Sequence, residues 1–354
     1  MNAQFTQHNL IFKQASGTSR GVLTTKETYL LEISKNGQKG IGECAIFRGL
    51  SYDDVPDYEE KLTWLCENIN LDFEVLKKEL LHYPSIIFGL EQALLNLEHG
   101  EDLYFPSDFT DGKDSIKING LIWMGNADFM QSQIEEKLAK GFDCIKLKIG
   151  VDWKSEKEII KKLREKFPKE QLELRVDANG AFSYEEARMV LQELADLGIH
   201  SIEQPIKKSQ VKTKKSQKTD EINSTDYCAP WNEMAKLCAE TPTPIALDEE
   251  LIGIIDFEEK KKLLETIKPQ YIILKPALVG GFSGSDEWIA IAESLGINWW
   301  ITSALESNIG LNAICQYTYT KKNPLPQGLG TGALFTNNFE THLQLEGDQM
   351  WHKK

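Results

Sequence analysis

The sequence lacks the features that mark several common classes of protein. Its six cysteines are scattered and form no CxxC pair, so neither a dense disulfide framework nor a structural zinc site is expected, and a reducing compartment is favoured. No stretch approaches the roughly 20 apolar residues that span a bilayer, and the first residues lack a basic region followed by an apolar core. We therefore expect no membrane association and a cytoplasmic location.

Positive charge is also in deficit. The 54 acidic residues outnumber the 40 lysines and arginines, which gives a net charge of −14. Because an acidic chain repels phosphate backbones and anionic lipids, nucleic acid is not an expected partner and a small-molecule substrate fits better. Hydrophobic residues make up 41% of the 354-residue chain, and this length suits one barrel plus a smaller domain.

The first part of the chain predicts an α+β domain over residues 1–110. Alternating apolar residues predict a β-meander between residues 5 and 47, in the segments FTQHNLIFK, ETYLLEIS and KGIGECAIF. After residue 55 the apolar spacing becomes helical, most clearly in PSIIFGLEQALLNLEHG, where Pro84 can begin a helix and Gly100 can end it. The tail, residues 338–354, alternates polar and apolar residues and is expected to pack back on this domain.

Residues 111–337 show a different pattern, in which short apolar segments alternate with amphipathic helices, as in a parallel sheet with crossover helices. The segments expected to form strands are SIKINGLIW, DCIKLKIG, LELRVDANG, HSIEQP, TPIALDEEL, QYIILKPAL and INWWITSAL. With a weaker eighth strand near PQGLGTG, this count favours a closed, TIM-like parallel β/α barrel. A doubly wound sheet stays open as an alternative. Residues 207–227 are polar and lysine-rich, which predicts a solvated insertion.

Charged side chains recur where the predicted strands end. They are Lys146 and Lys148 in IKLKIG, Asp177 in RVDANG, Glu203 in IEQP, Asp248 in ALDEE and Lys275 in ILKPA. The carboxyl ends of barrel strands meet at the face where the active sites of this architecture lie. Since residues i and i+2 share one side of a strand, both Lys146 and Lys148 can enter the barrel mouth.

Asp177, Glu203 and Asp248 come from three successive predicted strands. Three uncompensated negative charges in a barrel mouth are costly, and a bound cation removes this conflict. Ligands that offer only oxygen favour a hard ion, so we expect Mg²⁺, with Mn²⁺ as a substitute. The structural alternative is that each carboxylate caps a helix or pairs with a nearby lysine.

Lys148 and Lys275 fall on the second and sixth predicted strands and therefore face each other in an eight-stranded ring. Because burial and nearby positive charge lower the pKa of a lysine, one of them is expected to act as a base near neutral pH. The expected chemistry is removal of a proton beside a substrate carboxylate, helped by the metal. Two alternatives are an aldolase that uses Lys275 as a Schiff base and a non-catalytic binding protein.

Six motifs, in their order and spacing, resemble the muconate-lactonising-enzyme group of the enolase superfamily: KLKIG, VDANGAFS, IEQP, LDEEL, LKPALVGG and SALESNIG. The resemblance covers nearly the whole chain, including an N-terminal capping domain. A lysine base combined with Mg²⁺ is a pattern of this superfamily. Within the group, the chain looks most like the lyases that dehydrate a cyclohexadiene carboxylate to an aromatic product in menaquinone biosynthesis.

The resemblance implies a role for each matching residue. Asp177, Glu203 and Asp248 would bind Mg²⁺. Lys148 would act as acid and base in a syn dehydration, and Lys275 would stabilise the enediolate as a cation over the π-system. The implied substrate contacts are Lys146, Ser303, Gly280 and Gly281.

Other activities of the same group stay open as alternatives. Two facing lysines also suit 1,1-proton transfer, as in an N-acylamino acid racemase, and a muconate-type cycloisomerisation is a further possibility. The segments SALESNIG and LGTGALF lack the Asp-x-Asp pattern with which dipeptide epimerases that resemble this family hold a substrate ammonium. This departure argues against a dipeptide epimerase.

Overall fold

The structure, a computed structural model, describes residues 1–18, 21–123, 125–209 and 231–353. The insertion predicted at residues 207–227 lies, from residue 210 onward, outside the described residues. Among the described helices, none is both long and apolar enough to cross a membrane.

The N-terminal domain begins with the predicted meander and continues with helices. Its strands are β1 (Asn2–Thr18), β2 (Gly21–Lys35) and β3 (Gln38–Cys44), which form one antiparallel sheet in this order. The helices are α1 (Tyr58–Asn68), α2 (Phe73–Glu79) and α3 (Pro84–His99). Helix α3 begins at Pro84 and is capped by Gly100, as the sequence predicts.

Helix α3 lies unusually close to strand β3. A Cβ atom at Gly42 would stand 1.9 Å from the carbonyl oxygen of Gly89, and a Cβ atom at Gly89 would stand 2.3 Å from Sγ of Cys44. Since such distances are far below van der Waals contact, only glycine fits at these two positions. The helix is thereby fixed on the sheet, and it also contacts the barrel helices that follow Lys275.

The larger domain is a parallel barrel. Strand β4 (Ile116–Lys117) precedes the barrel and belongs to a separate antiparallel sheet. The barrel strands are β5 (Gly120–Ile122), β6 (Cys144–Lys148), β7 (Glu173–Asp177), β8 (Ser201–Glu203), β9 (Ile245–Leu247), β10 (Tyr271–Leu274) and β11 (Asn298–Ile301). Strands β5 to β11 are parallel, and each lies beside the next in the chain. Tyr104 and Phe109 already pack in the barrel core, slightly before the predicted boundary at residue 110.

Helices alternate with these strands and cover the outside of the barrel. They are α4 (Ala127–Ala139), α5 (Trp153–Lys166), α6 (Tyr184–Asp196), α7 (Asn232–Glu240), α8 (Phe257–Ile267), α9 (Pro276–Val279), α10 (Gly281–Ser294) and α11 (Asn308–Thr320). Several begin at polar caps whose side chains accept backbone N–H groups, namely Asn126, Asp152, Ser183 and Asp256. These caps satisfy donors that the first turn of a helix leaves free.

Residues 327 and 328 close the ring. Gln327 forms a parallel bridge with Ile118, before β5, and Gly328 forms one with Thr302, after β11. These bridges are the eighth strand predicted near PQGLGTG. The strand is short because Pro326 has no N–H to donate to a neighbouring strand and because the glycines that follow it have a low propensity for β-strands. Ring closure excludes the doubly wound alternative.

Two buried carboxylates of the N-terminal domain join it to the barrel. Glu43 accepts a hydrogen bond from the N–H of Ser307 at 3.0 Å, at the start of α11. Glu91 accepts hydrogen bonds from the N–H groups of Phe282 and Ser283, at the start of α10. Because the N-terminus of a helix favours a negative charge, these two contacts hold the N-terminal domain over the barrel.

The C-terminal tail corrects one expectation. Its hairpin, β12 (Leu343–Glu346) and β13 (Gln349–His352), pairs with strand β4. The residues just before the hairpin contact the N-terminal domain, where the ring of Phe339 lies 4.9 Å from that of His8. The tail therefore packs mainly on the start of the barrel domain, because β4 offers backbone groups for strand pairing.

Candidate active site

All the charged side chains predicted at strand ends lie at the carboxyl-terminal face of the barrel. Lys146 and Lys148 extend from β6, Asp177 ends β7, Glu203 ends β8, and Asp248 and Lys275 directly follow β9 and β10. The three acidic residues are 1%, 1% and 2% exposed in chain order. Because a buried charge is costly without a partner, these carboxylates require neutralisation.

Two lysines link the three carboxylates into one buried network. Nζ of Lys146 lies 2.7 Å from Oε2 of Glu203 and 3.7 Å from Oδ2 of Asp177. Nζ of Lys275 contacts Oδ2 of Asp248 and lies 3.6 Å from Oε1 of Glu203. Each neighbouring pair of carboxylates thus shares one ammonium group, and the predicted residues are brought together.

Lys148 is oriented by two partners. Its Nζ lies 2.8 Å from Oδ2 of Asp177 and donates to Oδ1 of Asn179 at 2.6 Å. Nδ2 of Asn179 in turn donates to Oε1 of Glu249 at 3.1 Å. No role was predicted from the sequence for Asn179 or Glu249. Asn179 lies two residues after Asp177 in VDANGAFS, and Glu249 directly follows Asp248 in LDEEL. This closeness to a predicted metal ligand is the sequence signal for both residues.

Gln204 is a third residue whose role was not predicted from the sequence. Its side chain is fully buried, and its Oε1 accepts the N–H groups of Asp248 at 3.3 Å and Glu250 at 3.2 Å. Its Nε2 donates to Oε2 of Glu250. Gln204 therefore holds the segment that carries Asp248. An amide residue directly after the strand-end carboxylate Glu203 is the only sequence signal for this role.

The backbone is left-handed just after three of the strands that form the site. The φ angles are 45° at Asn179, 41° at Gln204 and 64° at Leu305. Residues other than glycine adopt such angles at a cost of about 1–3 kcal/mol each, and they do so mostly where surrounding contacts impose the conformation. The turns after β7, β8 and β11 are therefore held in place by the hydrogen bonds of the site.

Burial is the largest influence on the pKa of each carboxylate. It raises the pKa of Glu203 to about 7, and the nearby charge of Asp177 acts in the same direction. It also raises the pKa of Asp248, although Lys275 opposes the change. At Asp177, burial is outweighed by the charges of the neighbouring lysines, Lys148 above all, so that the pKa lies below its ordinary value.

Contacts with carboxylates determine the pKa of Lys275. Burial lowers it, but the charges of Asp248 and Glu203 outweigh burial, and the pKa is raised. From the sequence, a lowered pKa was expected for only one of the two facing lysines, and the resemblance implied that Lys275 acts as a cation. A raised pKa keeps this group an ammonium ion.

A cavity of about 800 Å³, its open mouth included, lies above the network. Lys146, Lys148 and Lys275 all line it. Apolar side chains form much of the remaining wall, and two of them, Phe47 and Leu50, come from the N-terminal domain. The cavity can therefore hold a molecule that is anionic on one side and apolar on the other.

The predicted substrate contacts divide into two groups. Ser303 lines the cavity, where its hydroxyl donates to Oε2 of Glu306 at 2.6 Å and accepts from Thr331 at 2.8 Å. Gly280 and Gly281 do not line it. They lie against the N-terminal domain, where the carboxylate of Glu91 meets the start of α10. The structure therefore brings Ser303 and Lys146 to the cavity and places the two glycines elsewhere.

The donor set suits a hard divalent cation. Among the described residues, no three acidic, histidine or cysteine side chains already surround a common point, and lysine ammonium groups stand between the carboxylates. Oε1 of Glu203 is buried and has no hydrogen bond in the part of the chain that the structure describes, its ammonium neighbour Lys275 being 3.6 Å away, so this oxygen can still accept a ligand. With oxygen as their only donor atom, Asp177, Glu203 and Asp248 fit Mg²⁺.

Comparison with known proteins defines the class. The family described as "Enolase C-terminal domain-like" matches residues 130–221 and 226–349. This match covers more than half of the chain and includes all six charged residues of the network. The chain belongs to the enolase superfamily, in its muconate-lactonising-enzyme group.

Within this class, the chain is 42% identical to the o-succinylbenzoate synthase of Desulfotalea psychrophila, over 98% of each chain. The crystal structure of MenC from the same organism superposes with a TM-score of 0.84 at 40% identity, over 99% of each chain. An N-succinylamino acid racemase of Thermus thermophilus is 33% identical over 83% of this chain and 75% of its own length.

A more distant structure shares the fold alone. The dipeptide epimerase of Enterococcus faecalis, solved with Mg and the dipeptide L-Leu-L-Tyr, superposes with a TM-score of 0.81 at 18% identity. The match covers 100% of this chain and 97% of the epimerase.

Proposed function

We propose that this protein catalyses the o-succinylbenzoate synthase reaction of menaquinone biosynthesis. In this reaction 2-succinyl-6-hydroxy-2,4-cyclohexadiene-1-carboxylate loses water and becomes 2-succinylbenzoate. The observation that carries the proposal is that Lys148 and Lys275 line one cavity above three buried carboxylates. The identity of 42% to an o-succinylbenzoate synthase over nearly the full length supports the choice of reaction.

The dehydration breaks one C–H bond and one C–O bond. Lys148, as a neutral amine, takes the proton from the carbon that bears the carboxylate, and the electron pair of that bond moves into an enediolate. When the C–O bond breaks, the electron pair of the enediolate forms the new C=C bond and Lys148 returns the proton to the departing hydroxide, which leaves as water. One amine serves both steps because a syn elimination presents both groups on one face.

Lys275 acts as a fixed cation in this proposal. Its raised pKa keeps it protonated, so its charge can stabilise the enediolate from the side opposite Lys148. Lys146 lines the same cavity and would help hold the substrate carboxylate. Asp177, Glu203 and Asp248 would hold Mg²⁺, or Mn²⁺ in its place, and when bound this ion supplies positive charge to the carboxylate as its electron density rises.

Turnover by purified protein tests the proposal. The cyclohexadiene substrate is supplied with Mg²⁺, and the aromatic product is followed by absorbance and chromatography. We expect Lys148→Met to lower kcat by about 10²–10⁴-fold, the usual contribution of a general acid or base. Lys260→Met is the matched control, because Lys260 is also buried and paired, with Glu287 at 2.7 Å, outside the cavity. No turnover by the unmodified protein, or equal turnover in Lys148→Met, overturns the proposal.

Racemisation of N-succinylamino acids is a second candidate. Lys148 and Lys275, on opposite sides of the barrel, suit transfer of a proton between the two faces of one carbon, and the relative from Thermus thermophilus is named an N-succinylamino acid racemase. Incubation with an N-succinylamino acid in D₂O identifies the activity if deuterium enters the α-carbon without loss of water.

A further inference from the structure

We infer that Asn119 and Thr302 bind an oxygen atom of the succinyl substituent of the substrate. Together with Gly328, which lies between them, they form what we call the polar slot. The inference rests on the proposed function and assigns to these residues the part of the substrate that does not react.

The polar slot is one row of the barrel wall. Gly328 bridges in parallel to Thr302 on one side, and Gln327, the residue before it, bridges to Ile118 on the other. Asn119 therefore lies beside Gly328 in the same register. The eighth strand, which carries Gly328, is opposite the fourth, which ends in Glu203. The slot is thus across the barrel from the carboxylate network.

Each of the two polar side chains of the slot has one buried oxygen that lacks a hydrogen-bond partner among the described residues. Asn119 is 4% exposed and Thr302 is 8% exposed, and both line the cavity. Oδ1 of Asn119 and Oγ1 of Thr302 have no hydrogen-bond partner among the residues with described positions. Since buried polar atoms are rarely left without a partner, two of them on one wall of a cavity indicate a polar ligand group.

Gly328 leaves room for the side chain of Thr302 to lie against the eighth strand. A Cβ atom at this position would stand 2.4 Å from Oγ1 of Thr302, so no larger residue fits. The hydroxyl of Thr302 therefore lies against the backbone of Gly328 in the eighth strand. Any side chain on Gly328 would displace it and close the slot.

The chemistry of the slot complements that of the carboxylate network. A rotation of the Asn119 amide by 180° exchanges the unpartnered Oδ1 for Nδ2, which can donate, and the hydroxyl of Thr302 can donate as well. Neither group is charged. The ring carboxylate of the substrate belongs with Lys146 and Lys148 across the cavity, whereas a neutral pair of donors suits the keto oxygen or an outer carboxylate oxygen of the succinyl chain.

Binding measurements by calorimetry with Mg²⁺ present test the inference without turnover. The two ligands are 2-succinylbenzoate and benzoate, which lacks the succinyl chain. We expect Thr302→Val and Asn119→Leu each to weaken binding of 2-succinylbenzoate about tenfold, as for one lost hydrogen bond, and to leave benzoate affinity within about twofold. Thr302→Ser keeps the hydroxyl and should restore binding. The ligand 2-butanoylbenzoate keeps the keto group but lacks the terminal carboxylate. If the slot variants also weaken its binding, the slot binds the keto oxygen; if they do not, the slot binds the terminal carboxylate.

Thr318→Val is the matched control, because Thr318 is equally buried with an unpartnered hydroxyl, within the described chain, but does not line the cavity. The inference is overturned if the slot variants bind 2-succinylbenzoate as the unmodified protein does, if they weaken benzoate equally, or if Thr318→Val has the same effect. Failure of the unmodified protein to bind 2-succinylbenzoate and to dehydrate the substrate overturns the proposed function and, with it, this inference. Turnover by the unmodified protein with unaffected slot variants overturns the inference alone.

Discussion

Replacing Glu91 with glutamine is expected to change how the stability of the protein depends on pH. The carboxylate of Glu91 is 7% exposed and meets the start of helix α10. Two physical effects oppose each other there: burial disfavours the charged form, and the N–H groups of a helix N-terminus favour it. Burial is the larger effect and raises the pKa of Glu91 from 4.5 to about 7.

The magnitude follows from this pKa change. Because a tenfold change in proton affinity corresponds to about 1.4 kcal/mol, a rise from 4.5 to about 7 corresponds to about 3 kcal/mol. Below pH 4.5 the carboxyl of Glu91 is protonated in both the folded and the unfolded chain and contributes nothing. Between pH 4.5 and 7 the unfolded chain releases its proton while the folded chain retains it, so stability falls as pH rises. Above pH 7 the carboxylate of Glu91 is ionised in both states, and the folded chain is destabilised by the full amount, about 3 kcal/mol.

Urea unfolding followed by tryptophan fluorescence between pH 4.5 and 8 measures this effect. The free energy of unfolding of Glu91→Gln, relative to that of the unmodified protein, should rise by about 3 kcal/mol across this range. Glu98→Gln, which removes an exposed carboxylate from the same helix, is the control and should change stability by no more than about 0.5 kcal/mol. If the difference in free energy of unfolding between Glu91→Gln and the unmodified protein stays constant or falls as pH rises, then burial does not outweigh the helix N-terminus in setting the pKa of Glu91.

Four further predictions concern the site and the scaffold. Gln204→Leu removes the acceptor for the N–H of Asp248 and should weaken Mg²⁺ binding about 10–100-fold in calorimetry, with an unchanged circular dichroism spectrum. Chelation of divalent ions should abolish turnover, and Mg²⁺ or Mn²⁺ should restore it; turnover that survives chelation contradicts the assigned metal role. Ser183→Ala removes a helix cap and should cost about 1 kcal/mol, or roughly 1–2 °C in Tm. Gly42→Ala forces a Cβ against the backbone of Gly89 and should lower Tm far more than Ser183→Ala does.

The repeating elements of the barrel were predictable because their signals are local. Each strand is a short apolar segment, and each following helix carries an apolar stripe and a polar cap. Strands β6 (Cys144–Lys148) and β7 (Glu173–Asp177), for example, lie within the predicted segments DCIKLKIG and LELRVDANG. The ends of parallel strands meet at one face in any barrel, so the convergence of Asp177, Glu203 and Asp248 also followed from the order of the segments.

The eighth strand and the tail show where local signals weaken. The eighth strand consists of two bridges at Gln327 and Gly328, and its glycines carry little pattern to detect. The hairpin of the tail pairs with β4, a segment more than 200 residues earlier in the chain. Nothing in the alternation of the tail specifies which strand edge it meets, because every free edge offers the same backbone groups.

From the sequence alone came the class of fold, the six charged residues of the network and the kind of ion that they suit, because spacing along strands and the chemistry of the side chains determine these. Only the tertiary structure decided which groups contact one another. It placed Gly280 and Gly281 away from the cavity, gave Gln204 and Asn179 their supporting roles, and raised the pKa of Lys275 through its contacts with Asp248 and Glu203. It also set Asn119 beside Gly328 and Thr302. Such effects depend on distances between residues far apart in the chain, and no local pattern encodes those distances.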